Sequence, residues 1–251
     1  MAHVTPGICS VTLRQWPVED VIAIAVDSGL ECIEWGGDVH VHPGDTRSAQ
    51  RAAQLSDAAG LRVASYGSYF RAGDDSPEEF DRVLNTAEAL GAPRIRVWAG
   101  AHGSRSTSPQ GRQSVVDTLQ RASDAAAARD VELALEFHSD TLADEARSTV
   151  SLLADVGRAN LTSYWQPPVG LAGEQALAQL QHLGTLISCV HVFSWWPESE
   201  RRALSHRRAL WEAAIAHLRA GHRDVDTLLE FVVDDDPANV RADAETLRSM
   251  L

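Results

Sequence analysis

No lysine occurs among the 251 residues: the 22 residues of the Lys+Arg class are all arginine. That excludes Schiff-base and pyridoxal phosphate chemistry and a Walker-A phosphate loop, each of which needs a lysine amine. Cysteine is scarce. Cys9, Cys32 and Cys189 are odd in number and far apart, and each sits in an apolar run, so they read as buried free thiols of a cytoplasmic protein rather than a disulfide framework. No apolar run approaches the roughly 18 residues of a membrane span, and Met1 to Ser10 lacks the basic and then apolar pattern of an export signal. The reading is a soluble chain with no membrane partner. Basic charge is also short, at 22 against 35 acidic residues and a net charge of -13, which argues against nucleic acid as a partner. With only 17 Gly and 10 Pro, collagen-like and low-complexity classes fall away.

What is present is an ordinary globular composition, 44% hydrophobic and 23% charged, in a chain long enough for a large core. The longest polar stretch, Ala101 to Arg112, reads as a loop, so residues 1–251 are expected to form one domain. Eight β-rich runs recur about every 30 residues: Gly7 to Ser10, Cys32 to Trp35, Val63 to Tyr66, Arg94 to Trp98, Glu132 to Phe137, Leu161 to Trp165, Cys189 to Phe193 and Thr227 to Val233. Helical periodicity and start signals fill the intervals. Ser76-Pro77-Glu78-Glu79, for example, supplies an N-cap, a proline at the first helical position and acids in the first turn. Eight strand-helix units predict an α/β fold, a (β/α)8 TIM barrel. An open doubly wound sheet is the competing topology, but no Gly-rich dinucleotide fingerprint follows the first run.

Barrel enzymes build their sites at the C-terminal ends of the strands. There the chain carries Glu34, Trp35, Tyr66, Trp98, Glu136, His138, Trp165, Gln166, His191, Trp195 and Glu230. Glu136 ending strand five, Gln166 ending strand six, His191 in strand seven and Glu230 in strand eight form a candidate metal set. Two carboxylates, an imidazole and an amide oxygen suit one divalent ion, Mn²⁺, Mg²⁺ or Zn²⁺. Trp35, Tyr66, Trp98, Trp165 and Trp195, with His138, are candidate binding groups for a small polyhydroxy substrate, rings against its apolar face and polar atoms for its hydroxyls. His40 and His42, spaced to chelate, read instead as a solvated loop. Arg201, Arg202, Arg207 and Arg208 form a basic cluster that reads as a solvated helix face or a subunit contact, compatible with a homo-oligomer.

Five stretches, Gly29 to Asp38, Ala134 to His138, Asn160 to Pro167, Val190 to Phe193 and Leu228 to Phe231, resemble the xylose isomerase-like barrel superfamily. That superfamily includes sugar phosphate isomerases and epimerases, tagatose-type epimerases, hydroxypyruvate isomerases, inosose dehydratases and apurinic endonucleases. The resemblance implies a divalent ion held by a Glu after strand five, an Asp after strand six, a His in strand seven and a Glu in strand eight. Those roles fall on Glu136, Gln166, His191 and Glu230. The chain departs from the pattern at Gln166, which offers a neutral oxygen, and at Val169, where many relatives carry His. Leu142 and Pro197 stand where some ketose epimerases carry Glu and Arg, so no particular substrate transfers.

The resemblance implies a metal-dependent isomerase or epimerase of a small sugar or hydroxy-carbonyl compound. The reaction would pass through an enediolate, with Glu136 and Glu230 as the acid/base pair. Two alternatives stand beside it: a metal-dependent lyase or dehydratase on the same scaffold, and a non-catalytic sugar-binding protein in which Gln166 marks loss of the ion.

Overall fold

A computed structural model describes residues 2–251. Its eight long strands are β1 (Val4–Cys9), β2 (Cys32–Gly36), β3 (Arg62–Arg71), β4 (Arg94–Trp98), β5 (Glu132–Leu135), β6 (Leu161–Trp165), β7 (Ile187–Val192) and β10 (Val225–Leu229). They pair in parallel and close into a barrel in the order β1-β10-β7-β6-β5-β4-β3-β2, with β1 hydrogen-bonded to β2. Eight helices wrap it: α1 (Val18–Asp27), α2 (Thr46–Ala58), α3 (Pro77–Leu90), α4 (Pro109–Ala127), α5 (Ala146–Val156), α6 (Gly173–Leu183), α7 (Arg208–Arg219) and α8 (Pro237–Arg248). The fold is the (β/α)8 barrel the strand count predicts. A two-stranded antiparallel ribbon, β8 (Ser194–Trp195) with β9 (Arg201–Arg202), rises beyond β7 and was not foreseen.

Local signals set several helix ends. Ser76 Oγ accepts from Glu79 N–H while the Glu79 carboxylate accepts from Ser76 N–H, a complete capping box ahead of Pro77. Gly91, at φ 68°, ends the same helix in the left-handed region, where a side chain is costly. The last barrel strand stops at Leu229 rather than running through Val233. Phe231 turns to φ 52° and gives its N–H to the Thr12 hydroxyl instead of to a neighbouring strand.

Strand parity divides the side chains into two environments. Outward residues such as Ile33, Ile95, Val97, Leu133, Val190 and Leu229 join the helices in one large apolar core. The lumen is different. Its apolar share is a small cluster of Cys9, Cys32, Ala64, Ala134, Tyr164, Cys189 and Leu228, and charged residues fill the rest. At the N-terminal end Arg94 spans Glu132 (3.0 Å) and Asp226 (3.1 Å), Arg62 also pairs with Asp226, and Arg223 and the Thr162 hydroxyl reach Glu132. This plug closes the floor. Above it β1 runs close to β2 at Gly7, where a Cβ would stand 2.5 Å from the Cys32 carbonyl oxygen, so glycine is required there.

Outside the barrel Asp243 on α8 is buried and accepts from Leu204 N–H (2.8 Å). Burial pushes its carboxyl up to about 6, against the Leu204 hydrogen bond that pulls it down. The folded protein therefore holds this proton more tightly than the unfolded chain, whose aspartates titrate near 3.9. This residue's contribution makes stability fall as pH rises through the window from about 4 to about 6. Asp243→Asn keeps an acceptor for Leu204 and is expected to raise Tm at pH 7 relative to wild type, with the gain vanishing below pH 4. Thermal melts across pH check this, and no gain at pH 7 contradicts it.

Candidate active site

Glu230, His191, Gln166 and Glu136 come from β10, β7, β6 and β5, four neighbours in the barrel, so they form one arc with a carboxylate at each end. His191 points into the lumen from within β7, and the other three follow the last residues of their strands. The arc converges on one atom. His191 Nδ1 lies 2.9 Å from Gln166 Oε1, 3.3 Å from Glu230 Oε2 and 4.0 Å from Glu136 Oε1. Ligand atoms each about 2.1 Å from a shared ion stand about 3 to 4 Å apart, so this donor set has the spacing and the oxygen-nitrogen chemistry for a divalent cation.

The electrostatics run the same way. Arg96, inward on β4, places Nη1 3.2 Å from Glu136 and 3.4 Å from Glu34. Its guanidinium faces three buried carboxylates, those of Glu34, Glu136 and Glu230. Burial favours the neutral form of Glu34, yet Arg96, with help from His191 and Tyr164, holds it well below the usual carboxylate range. Glu230 goes the other way: burial raises it, the His191 charge opposes, and Glu136 adds to the rise. Burial disfavours a charged His191, but Glu230, Glu34 and Glu136 together push the imidazole up. Glu136 Oε2 and His191 Nε2 are buried and make no hydrogen bond among the described residues, although each has an opposite charge near it, Arg96 at 3.2 Å and Glu34 at 3.6 Å. Three buried carboxylates set against one guanidinium and one imidazole fit a bound cation.

Cys9 joins this group from β1, its Sγ lying within 4.8 Å of the ligand atoms of His191 and Glu230. Burial, reinforced by Glu34 and Glu230, pushes its thiol far up, so it presents a neutral SH rather than a thiolate.

Over the arc opens a cavity of about 650 Å³ lined by Glu136, Gln166 and Glu230, by Arg14, Tyr69 and Arg96, and by Trp98, His138, Phe193, Trp195 and Phe231. Of the rings expected around a substrate, Trp98, His138 and Trp195 reach it. Trp98 stacks on His138 (centroids 4.7 Å apart) and carries the Arg71 guanidinium at 3.9 Å. Trp195 sits between Phe193 (5.0 Å) and Phe231 (5.5 Å). The other three expectations are corrected. Trp35, Tyr66 and Trp165 are fully buried on the outward parity, between barrel and helices. Trp35 gives its indole N–H to Ser56 on α2, Tyr66 gives its hydroxyl to the Val41 carbonyl, and Trp165 packs edge-on against Trp211 of α7 (5.8 Å). They are packing residues, and their inward neighbours Glu34, Ser65 and Tyr164 face the lumen.

His40 is no solvated loop residue. Its ring bridges the Ser10 hydroxyl and the Trp16 carbonyl, 3.0 Å each. Three members of the basic cluster pair locally, Arg201 with Asp235, Arg202 with Glu200 and Arg208 with Glu212, while Arg207 reaches the Leu171 and Trp195 carbonyls. Arg96 went unassigned in the sequence although Arg94-Ile95-Arg96-Val97-Trp98 alternates strictly. An arginine sharing parity with the residue that ends the strand at the site was the signal.

With this geometry in hand, comparison with known proteins defines the class. The xylose isomerase-like TIM barrel model matches residues 22–250, and the chain belongs to that family. A 3-dehydroshikimate dehydratase of Bacillus anthracis is 25% identical over 166 residues, 62% of this chain and 59% of that relative, so the match spans about three-fifths of the relative's length. Among solved structures, a probable 3-DHS dehydratase from Bacillus anthracis superposes with a TM-score of 0.79 at 18% identity over 99% of both chains. A D-allulose 3-epimerase from Methylomonas sp. gives 0.74 at 16% identity over 100% of both. The proteins this chain resembles thus include an epimerase and dehydratases, and at such identities the structural matches speak for the fold alone. No described helix is long and apolar enough to cross a membrane.

Trp165→Ala is expected to cost about 3–5 kcal/mol of stability, the usual range for emptying a buried tryptophan site. Mn²⁺ affinity measured on the folded variant should stay within twofold of wild type. A tenfold loss of affinity with unchanged urea stability would return Trp165 to the site.

Proposed function

We propose that this protein is a divalent-metal-dependent isomerase or epimerase of a small sugar or hydroxy-carbonyl compound. The observation that carries the reading is the convergence of Gln166, Glu230 and Glu136 oxygens on His191 Nδ1, within 2.9 to 4.0 Å, beneath an open cavity. Glu136, Gln166, His191 and Glu230 would hold one ion, Mn²⁺, Mg²⁺ or Zn²⁺. When bound, such an ion polarises a substrate carbonyl and steadies the negative charge that develops on its oxygen.

The protein's own groups do the rest. Glu136 and Glu230 stand at the two ends of the arc, so a substrate lying across it meets a carboxylate on either side. One takes the proton next to the carbonyl, leaving an enediolate, and the other returns a proton to the opposite face or the neighbouring carbon. Arg96, 3.2 Å from Glu136, offsets negative charge as this happens. Trp98, His138 and Trp195 line the cavity and bind and orient the substrate.

The dehydratase match favours a second reading, loss of a β-hydroxyl from the same enediolate-type state. The two separate by mass. With Mn²⁺ in D2O, a panel of ketohexoses, with 3-dehydroshikimate beside it as the dehydratase probe, is expected to yield from a ketohexose an isomer that has exchanged one hydrogen for deuterium at the carbon beside the carbonyl. Loss of water would favour the dehydratase, and no turnover with any of the three ions would favour a binding protein. Glu136→Gln and Glu230→Gln should each remove turnover, by at least about 10²-fold for the loss of a general acid or base. Full activity in either contradicts its role. Gln166→Asp adds a charged oxygen to the set and is expected to tighten Mn²⁺ binding at least tenfold, read by titration. Weaker binding would count against Gln166 as a ligand.

A further inference from the structure

Glu34 is a buried carboxylate that does not line the cavity, and five polar groups of the lumen surround it, one of them the Cys9 thiol, 3.9 Å from Oε1. Its Oε2 accepts from the Tyr164 hydroxyl (2.7 Å) and the Ser65 hydroxyl (2.8 Å), and its Oε1 lies 3.4 Å from Arg96 and 3.6 Å from His191 Nε2. The backbone makes room for it. A Cβ on Gly67 would stand 2.6 Å from Glu34 Oε1, so β3 carries a glycine where the carboxylate needs space. An ionised group this deep is costly unless its partners are fixed, and here they are fixed from five strands, β1, β3, β4, β6 and β7.

The His191 ring is the group that gains. It is fully buried, and the Tyr164 ring stands edge-on to it at 5.0 Å. Its Nδ1 faces Gln166, Glu230 and Glu136, and its Nε2 faces Glu34. An imidazole offers a lone pair from one nitrogen only while its proton sits on the other, so the acceptor opposite Nε2 decides whether Nδ1 is free to donate. We propose that Glu34 is a positioning residue that, when an ion is bound, takes the His191 proton on Nε2, which lies 3.6 Å from Glu34 Oε1 and has no other partner among the described residues, and thereby leaves the Nδ1 lone pair for an ion held among the Glu136, Gln166 and Glu230 oxygens. This role rests on the divalent-ion reading above. Glu34 also shares Arg96 with Glu136, so one guanidinium sets the position of a ligand and of the group behind another ligand.

Mn²⁺ titration followed by the resonance of the free ion, on wild type and Glu34→Gln, tests this, with circular dichroism to confirm folding. The expected result is Mn²⁺ affinity 10- to 100-fold weaker in Glu34→Gln. A merely structural Glu34 would lower Tm and leave the affinity of the folded protein unchanged, and that outcome overturns the proposal. Wild type that takes up no Mn²⁺ would instead overturn the divalent-ion reading, and this role with it. If Glu34→Gln does not fold, the wild-type protein decides through its ¹⁵N spectrum with Zn²⁺. There the His191 Nε2–H should be a low-field, exchange-protected signal, as expected for a proton held by a carboxylate. An Nε2–H at the ordinary imidazole position overturns the proposal.

Discussion

Three carboxylates buried in a narrow lumen with one guanidinium and one imidazole are the constraint to which the rest of this barrel answers. Removing an ion from water costs several kcal/mol even after relaxation, and each charge must recover that from fixed partners. Arg96 serves Glu34 and Glu136 together, Tyr164 and Ser65 serve Glu34, and His191 lies against all three acids. The arrangement still lacks positive charge near the Glu136, Gln166, His191 and Glu230 atoms. A divalent cation there is the simplest completion of the balance, and Gln166 bears on it directly. With an amide at that position the buried acids and Arg96 sum to -2, which one such ion would neutralise.

The fold can afford so polar a lumen because its apolar core lies elsewhere. Outward-facing strand residues and the inner faces of the eight helices form a continuous apolar shell, so the barrel does not depend on its interior for hydrophobic stability. The interior splits into two tiers. The lower, Arg94 with Glu132 and Asp226, is satisfied and closed to the cavity. The upper leaves buried atoms without partners and opens to a space of about 650 Å³. The floor is closed by paired charges and the mouth is open, and the mouth is the end at which barrel enzymes build their sites.

Much of this was legible in the residues. Strand and helix alternation gave the barrel, because apolar spacing and caps are local properties, and the four-residue arc was readable because each member falls at or near a strand end. Parity within the strands was harder to use. Trp35, Tyr66 and Trp165 look like site residues by type and depth, yet a single-residue step in a β-strand turns a ring from the lumen to the helices. The residues beside them, Glu34, Ser65 and Tyr164, hold the lumen instead. Arg96 was hidden for a related reason: its role depends on acids from two other strands that only barrel closure brings within 3.4 Å. The Thr12 contact that ends β10 early is likewise a meeting of residues 219 apart.

The most direct test of the central claim is anomalous diffraction from crystals of the protein grown with Mn²⁺. The account expects one strong peak at the top of the lumen, bonded to Glu136, Gln166, His191 Nδ1 and Glu230, with Glu34 at hydrogen-bond distance from His191 Nε2. A peak elsewhere, or none beside an ordered and unchanged arc, would contradict it.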